Sequence, residues 1–314
     1  MRIVFMGTPE FARASLRALV EAGHDVCGVV TQPDKPKNRG HKLTPPPVKE
    51  YALTQNIPVF QPPTLRDADA VEHIRALSPD LIVVAAYGKL LPETVLQIPP
   101  YGCINVHSSL LPAYRGAAPI NWAIFHGETR TGVTIMHMAK ELDAGDIILQ
   151  RETDIDPQED AQALTARLAE LGAAALTDAV RAIEAGTASR TPQDAQHVTY
   201  APMLSRDLSP VDWTQSAHEI QCRIRALVPW PCATTDVIGG VTVKLYASAE
   251  TGETTAFPPG TVTGTGKNGI GIACGDGTVL RVTELQAQGK KRMSAASYLL
   301  GHPVPVGKPS NCEV

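Results

Sequence analysis

Short apolar runs alternate with longer amphipathic stretches through the first half of the chain. The apolar runs predict strands at residues 3–6, 26–31, 58–60, 81–86, 104–107, 133–138 and 146–151. The stretches with apolar residues at helical spacing predict helices at residues 9–22, 46–55, 68–77 and 160–186. Because alternating strands and helices form a mostly parallel sheet with helices on both faces, the pattern predicts a Rossmann-like α/β domain. We bound this domain at residues 1–189.

The pattern changes after residue 189. Residues 190–206 are polar and contain two prolines, which indicates a linker. Beyond the linker, a helical stretch at residues 213–227 precedes several short β runs. These runs are separated by glycine-rich turns and lie at residues 233–238, 241–247, 260–265, 269–274 and 278–284. Short strands with such turns are typical of a small β-barrel, so residues 207–314 are predicted to form a second, smaller domain.

The composition of the 314 residues is that of an ordinary globular protein. No apolar run reaches the ~18 residues that would span a membrane, and the first residues are too strand-like for a signal peptide. The six cysteines are scattered, without a Cys-x-x-Cys pair, which disfavours a metal site or a disulfide framework. Reduced thiols in turn favour a cytoplasmic location. The turn that begins at Gly7 lacks the glycine fingerprint of nicotinamide- and flavin-binding folds.

Candidate catalytic residues lie at the end of the strand predicted at residues 104–107. Alternate residues of a strand point the same way, so Asn105 and His107 face one pocket while Val106 turns into the core. A carboxamide can donate a hydrogen bond to a developing oxyanion, and an imidazole can move protons near neutral pH. Asp143, in a later turn, supplies a carboxylate that can orient and charge the imidazole. These groups suit transfer of an acyl group from one nitrogen to another.

Positive charge is concentrated in one segment, although the chain has a net charge of −4. Residues 35–49, here called the basic segment, contain five basic side chains and no acidic one. The segment follows the second predicted strand, at the sheet edge where open α/β folds bind ligands, and its glycine and prolines disfavour a regular element over most of it. The charge favours an anionic partner. Arg39 is the first candidate for a phosphate contact because a guanidinium binds phosphate in a planar, bidentate way; Lys37 and Lys42 are further candidates.

Five stretches carry a family resemblance. They read MGTPEF at residues 6–11, TQPD at 31–34, NVHSSLLP at 105–112, YRGAAPI at 114–120 and LDAGD at 142–146. Together with the basic segment they resemble the methionyl-tRNA formyltransferase family, and the likeness covers essentially the whole chain. The Asn-His-Asp set alone is shared by the wider formyltransferase superfamily. The basic segment and the added C-terminal domain are therefore the specific signals.

The resemblance implies an activity and its site residues. The family transfers a formyl group from 10-formyltetrahydrofolate to initiator methionyl-tRNA, the product is used to start translation, and no metal is implied. The residues that match by position are the catalytic Asn105, His107 and Asp143, the tetrahydrofolate-binding Ser109, Leu110, Leu111 and Pro112, and the tRNA-contacting Arg39. The C-terminal domain would be an OB-like barrel that grips the acceptor arm. We expect the protein to act as a monomer.

Two alternative functions stay open on the sequence. The first is a formyltransferase for a small anionic acceptor, an aminosugar nucleotide or glycinamide ribonucleotide, which would need no C-terminal domain. The second is a non-catalytic RNA-binding protein, which is disfavoured because Asn105, His107 and Asp143 occur together. Within the enzyme hypothesis, Cys103 is a competing nucleophile. Its position deeper in the strand favours the ordinary role of a small buried thiol instead.

Overall fold

The computed structural model describes residues 1–37 and 42–307. Its contacts divide the chain into two compact units. The first unit comprises Met1–Pro119, Arg130–Asp154 and Thr165–Pro202, and the second comprises Ile120–Thr129, Ile155–Leu164 and Met203–Val314. Each unit therefore contains segments from distant parts of the sequence. The domain bounds proposed from the sequence stay a prediction.

The residues described up to position 201 contain eleven strands and six α-helices. The strands are β1 (Arg2–Gly7), β2 (Asp25–Val30), β3 (Lys35–Lys37), β4 (Lys42–Thr44), β5 (Val59–Phe60), β6 (Leu81–Ala85), β7 (Cys103–His107), β8 (Arg115–Gly116), β9 (Arg130–His137), β10 (Ile147–Asp154) and β11 (Tyr200–Ala201). The helices are α1 (Glu10–Glu21), α2 (Pro47–Thr54), α3 (Ala68–Ala76), α4 (Glu93–Leu96), α5 (Pro119–Phe125) and α6 (Ala161–Glu184).

A seven-stranded sheet organises the first unit. Its order is β10-β9-β7-β6-β1-β2-β5, and β5, β2, β1, β6 and β7 run parallel. Strand β9 is antiparallel to β7, and β10 is antiparallel to β9. Strands β1 and β6 are buried along almost their whole length, as expected for parallel strands with helices on both faces. The predicted Rossmann-like domain is therefore confirmed.

The turn from β1 into α1 is tight. A Cβ at Gly7 would lie 2.7 Å from the Cβ of Ala12 and 2.9 Å from the carbonyl oxygen of Ala85. Only glycine fits this close approach of helix and strand. Helix α1 then buries Phe11, Leu16 and other residues of one face. Within the described part of the chain, no helix is both long and apolar enough to cross a membrane.

The second unit is rich in antiparallel strands. Its strands are β12 (Ala233–Thr235), β13 (Val243–Thr254), β14 (Val262–Gly266), β15 (Gly269–Ala273), β16 (Thr278–Ala287) and β17 (Met293–Ser294), and its later helices are α7 (Ala217–Ala226) and α8 (Ala295–Leu299). The sheet order is β12-β13-β16-β15-β14, with β17 paired to β16. Ile220 and Ile224 of α7 pack into one apolar cluster with the sheet residues Leu245 and Ile272. The predicted β-rich second domain is confirmed.

Some local predictions need correction. Helix α7 begins at Ala217, not at residue 213, because Ser216 and Glu219 form a capping box that starts the helix there. Within the basic segment, Lys35–Lys37 pair with Lys42–Thr44 as the antiparallel strands β3 and β4, although we predicted a mostly irregular loop. A two-stranded ribbon accepts the proline in β3 because it has free edges where no ladder donor is needed. Arg39 lies outside the described residues, as do the side chains of Lys37 and Lys42.

Candidate active site

Strand β7 carries Asn105 and His107 to the carboxyl edge of the sheet, where open α/β folds place their ligand sites. His107 is the last residue of the strand and is only 5% exposed, whereas Asn105 is half-buried. Val106 between them is buried in the core, as predicted, and the placement of Asn105 and His107 toward one pocket stays a prediction. Among the residues that the structure describes, none forms a hydrogen bond with the Asn105 carboxamide. Its N–H groups are thus available to a bound molecule.

The His107 ring is oriented by a backbone carbonyl. Nε2 lies 2.9 Å from the carbonyl oxygen of Tyr114. Because a carbonyl oxygen can only accept, the proton of this bond belongs to Nε2. Nδ1 then faces Oδ2 of Asp143 at 3.7 Å. This distance is too long for a direct hydrogen bond, so Nδ1 is the ring nitrogen left to exchange a proton.

Asp143 lies in a strained turn. Its φ of 49° is in the left-handed region, which costs a non-glycine residue roughly 1–2 kcal/mol. The carboxylate is 11% exposed, and its Oδ2 accepts a hydrogen bond of 2.9 Å from the backbone N–H of Gly116. A Cβ at Gly145 would lie 1.7 Å from the carbonyl oxygen of His137, so the turn packs directly against the end of β9. The structure thus brings His107 and Asp143 together, as the sequence predicted.

Tyr114 and Gly116 flank Arg115 and supply the backbone groups that hold this pair. Tyr114 also has a positive φ of 62°, and its N–H donates to Oγ1 of Thr199 at 2.8 Å. Strand β8 pairs with β11 in parallel, and a Cβ at Gly116 would lie 2.6 Å from the carbonyl oxygen of Ala201. Residues 199–201 therefore fix the segment that orients His107 and Asp143.

The stretch from Ser109 to Pro112 follows His107 directly. Ser109 Oγ donates to the carbonyl oxygen of Ala113 at 2.6 Å, and Thr134 Oγ1 donates to the carbonyl oxygen of Ser109 at 2.7 Å. Ser109 and Leu111 are buried, whereas Leu110 and Pro112 are half-buried. The buried pair can only shape a pocket; the half-buried pair can touch a ligand.

One charge of the basic segment is already paired. Lys49 Nζ lies 2.9 and 2.8 Å from the two carboxylate oxygens of Asp34. Its hydrogen bond to the carboxylate lowers the pKa of Asp34. Lys49 is therefore less suited than the remaining basic residues to bind a phosphate. The assignment of Arg39, Lys37 and Lys42 stays a prediction.

Cys103 does not have the environment of a nucleophile. It is 4% exposed and its sulfur lies 3.8 Å from the carbonyl oxygen of Leu96. Burial raises the pKa of the thiol to about 12. Since the thiolate is the reactive form, Cys103 is inert near neutral pH. In the described ranges, no group of three His, Cys, Asp or Glu side chains is placed to hold a metal ion.

Three groups at the site carry no signal in the sequence pattern. Two are backbone groups, the Tyr114 carbonyl and the Gly116 N–H, which no side-chain motif reveals. The third is Gln193, whose side chain hydrogen-bonds to the backbone of the Asp143 turn from 50 residues away. Only the three-dimensional contacts identify these groups.

Comparison with known proteins defines the class first. The formyl transferase model matches residues 1–180, and the model of the formyl transferase C-terminal domain matches residues 203–303. The chain is 51% identical over 306 residues to a methionyl-tRNA formyltransferase of Trichlorobacter lovleyi, covering 98% of this chain and 96% of that protein. It is 48% identical over 307 residues to the methionyl-tRNA formyltransferase of Geobacter sulfurreducens, with the same coverage of both chains. The chain belongs to the methionyl-tRNA formyltransferase family of formyl transferases, so the resemblance predicted from sequence is confirmed.

A solved structure shows the same fold. The N-formyltransferase of Helicobacter canadensis, in complex with folinic acid and dTDP-3-aminofucose, superposes with a TM-score of 0.69 at 19% identity. The match covers 89% of this chain and 98% of that chain. At this identity the likeness concerns the fold alone.

Proposed function

We propose that the protein transfers a formyl group from 10-formyltetrahydrofolate to the amino group of initiator methionyl-tRNA, which yields formylmethionyl-tRNA. The observation that carries the chemistry is the arrangement of His107 and Asp143, each oriented by a backbone group of the Tyr114–Gly116 segment. Asn105, on the same strand as His107, adds a carboxamide that has no hydrogen-bond partner among the described residues. Membership of the methionyl-tRNA formyltransferase family supports the acceptor.

The proposed reaction joins the methionyl nitrogen to the formyl carbon and breaks the bond from that carbon to the folate nitrogen. Asn105 donates a hydrogen bond to the formyl oxygen as negative charge develops there; one such donor is worth ~10²–10³ in rate. Asp143, directly or through a water, accepts the proton that the amine loses. His107 exchanges a proton at Nδ1, since Nε2 is engaged by Tyr114. The proton taken from the amine passes by way of Nδ1 of His107 to the folate nitrogen as that nitrogen leaves, so charge and protons balance.

The residues after His107 fit a folate donor. Leu110 and Pro112 offer half-buried apolar surface beside the catalytic histidine. Ser109 and Leu111 are buried, and the hydrogen bond of Ser109 to Ala113 holds the backbone of this stretch. Gln150 also holds this stretch, since its Nε2 donates to the carbonyl oxygen of Leu111 at 2.9 Å. When bound there, 10-formyltetrahydrofolate supplies the formyl carbon. A rigid binding surface at residues 109–112 keeps that carbon close to Asn105 and His107.

We assign tRNA recognition to Arg39, Lys37 and Lys42, together with the C-terminal domain. Support comes from the charge of the basic segment, which holds no acidic residue. It also comes from the match of residues 203–303 to the formyl transferase C-terminal domain. Action on aminoacylated tRNA would place the protein in the cytoplasm, and we expect it to act there as a monomer.

The decisive experiment compares acceptors. The protein is incubated with 10-formyltetrahydrofolate and, separately, charged initiator methionyl-tRNA, glycinamide ribonucleotide and an aminosugar nucleotide. We expect formyl transfer to methionyl-tRNA alone. Transfer to a small acceptor alone would keep the chemistry of Asn105, His107 and Asp143 but would refute the proposed substrate.

The tRNA contact is tested at Arg39. Arg39→Ala should raise KM for methionyl-tRNA while the folate KM stays unchanged, because loss of a phosphate contact weakens only the partner that carries phosphates. Arg75→Ala is the matched control, since Arg75 is an exposed arginine that pairs with Glu72 on the surface of α3. Equal loss of tRNA and folate use in Arg39→Ala would instead show a structural role.

A further inference from the structure

Gln193 turns inward from an otherwise exposed stretch. Gln193 is half-buried, whereas all the remaining residues from Ser189 to His197 are exposed. Its side chain runs back toward the sheet, and its Nε2 lies 3.9 Å from the sulfur of Met136. Met136 pairs directly with Asn105 across β9 and β7, and directly opposed residues share a face of the sheet. Gln193 therefore lies on the face that carries the candidate active site.

The amide group of Gln193 holds the Asp143 turn from its backbone. Nε2 donates to the carbonyl oxygen of Asp143 and to that of Gly145, each at 2.8 Å. Both carbonyls belong to the turn in which Asp143 adopts its left-handed conformation. A conformation of this cost persists only when surrounding contacts impose it. These two hydrogen bonds are part of that constraint.

The carbonyl group of Gln193 is held in turn by Arg115. Oε1 accepts from Nε of Arg115 at 3.0 Å and from its terminal nitrogen at 2.6 Å. The backbone on either side of Arg115 holds the catalytic pair: the Tyr114 carbonyl accepts from His107, and the Gly116 N–H donates to the Asp143 carboxylate. Arg115 and Gln193 thus close a ring of hydrogen bonds that fixes Asp143 at both its backbone and its carboxylate.

We propose that Gln193 and Arg115 form a positioning pair that sets the Asp143 carboxylate against Nδ1 of His107. The inference rests on the proposed function, because it gives the pair a role in the same proton transfer. Gln193 does not touch the substrate. It acts through the turn, so its loss should change the catalytic step and leave binding unaltered.

Gln193→Glu is the sharpest variant. The substituted side chain keeps the size of glutamine and can still accept from Arg115. It replaces the donating amide with an oxygen that faces two carbonyl oxygens, so the turn loses its support. We expect kcat to fall about 10²-fold, as for a misplacement of about 1 Å, with KM for methionyl-tRNA and for the folate unchanged. The pH profile of kcat should shift as well, because the relation between the carboxylate and the imidazole changes.

Two further variants separate positioning from general damage. Gln286→Glu is the matched control: Gln286 is also half-buried, accepts from the hydroxyl of Tyr246 at 2.9 Å and donates to the carbonyl oxygen of Lys290 at 2.7 Å, but in the second unit. It should keep the parent kcat, whatever its effect on KM for methionyl-tRNA. Arg115→Lys keeps the positive charge but loses one of the two hydrogen bonds to Gln193, so its kcat should fall as well. This variant tests the inference if Gln193→Glu fails to fold.

Several outcomes would overturn the inference. They are a parent-like kcat and pH profile in Gln193→Glu, a rise of KM at unchanged kcat, and, if Gln193→Glu does not fold, a parent-like kcat in Arg115→Lys. An equal loss of kcat in Gln286→Glu would also refute it. The proposed function is judged separately, by the acceptor that the parent protein formylates. Because each variant is compared with its parent, the positioning role can be measured with whichever acceptor that is.

Discussion

The two halves of the candidate active site are held in different ways. Asn105 and His107 lie on β7, whose backbone pairs with β6 on one side and β9 on the other. Asp143 lies in a turn that depends on a left-handed residue, a glycine packed against a carbonyl and a few side-chain hydrogen bonds. Because a backbone ladder does not depend on any single side chain, we expect the strand half to tolerate substitution. The turn half should lose its geometry more easily.

The largest effect should come from removing the charge of the turn half without disturbing its shape. In Asp143→Asn the side-chain oxygen can still accept from the Gly116 N–H, so the turn should survive. The proton acceptor is lost, and kcat for formylation should fall about 10²–10⁴-fold. Steady-state kinetics and thermal unfolding measure the two properties side by side. A near-normal kcat would remove Asp143 from the mechanism.

The strand half should respond in rate alone. Asn105→Ala removes a donor to the formyl oxygen, and kcat should fall by about 10²–10³-fold. The carboxamide has no hydrogen-bond partner among the described residues, so Tm should not change. A clear loss of Tm with unchanged kcat would show that Asn105 supports the fold, and the contrast between the two halves would fail.

The difference between the halves also explains what the sequence could predict. Alternation along β7 placed Asn105 and His107 on one face, because the two-residue period of a strand follows from its backbone alone. The same local periodicities predicted the parallel sheet and the β-rich second unit. Strand β13 runs to Thr254, beyond its predicted end at residue 247. The sequence did not predict this extension because the last residues are mostly exposed and carry no apolar alternation.

The turn half was only partly predictable. The sequence identified Asp143, but its support comes from residues far away in the chain and from backbone groups. Gln193 lies in a polar segment that predicted a linker, and β8 and β11 are only two residues long. A glutamine in an exposed stretch has no periodicity or spacing that marks it as part of a site. Contacts of this kind appear only once the chain is folded.

Packing at the turn can be tested directly with Gly145→Ala. The added Cβ would lie 1.7 Å from the carbonyl oxygen of His137, so the turn must shift. We expect a loss of about 1–3 kcal/mol in the free energy of unfolding, as for other overpacked sites. We also expect about a 10²-fold lower kcat, because Asp143 moves with the turn.

Gly264→Ala is the control for that substitution. Gly264 lies in β14 with an ordinary φ, and a Cβ there meets nothing within 4 Å. Chemical denaturation and kinetics of the two variants should therefore differ. Similar behaviour of both would mean that the Asp143 turn is not specifically sensitive to its packing.

The smallest effect on rate is expected at Cys103, which shares β7 with the catalytic residues. Cys103→Ala should keep the parent kcat and lose about 1 kcal/mol of stability, because it removes one small buried group. The raised pKa, about 12, keeps the thiol protonated far above neutral pH. Iodoacetamide at pH 7–9 should thus leave Cys103 of the folded protein unmodified, as peptide mass analysis can show. A Cys103→Ala variant that folds but forms no product would make the thiol the nucleophile. The catalytic residues would then all lie on the strand half, and the proposed role of Asp143 in proton transfer would be refuted.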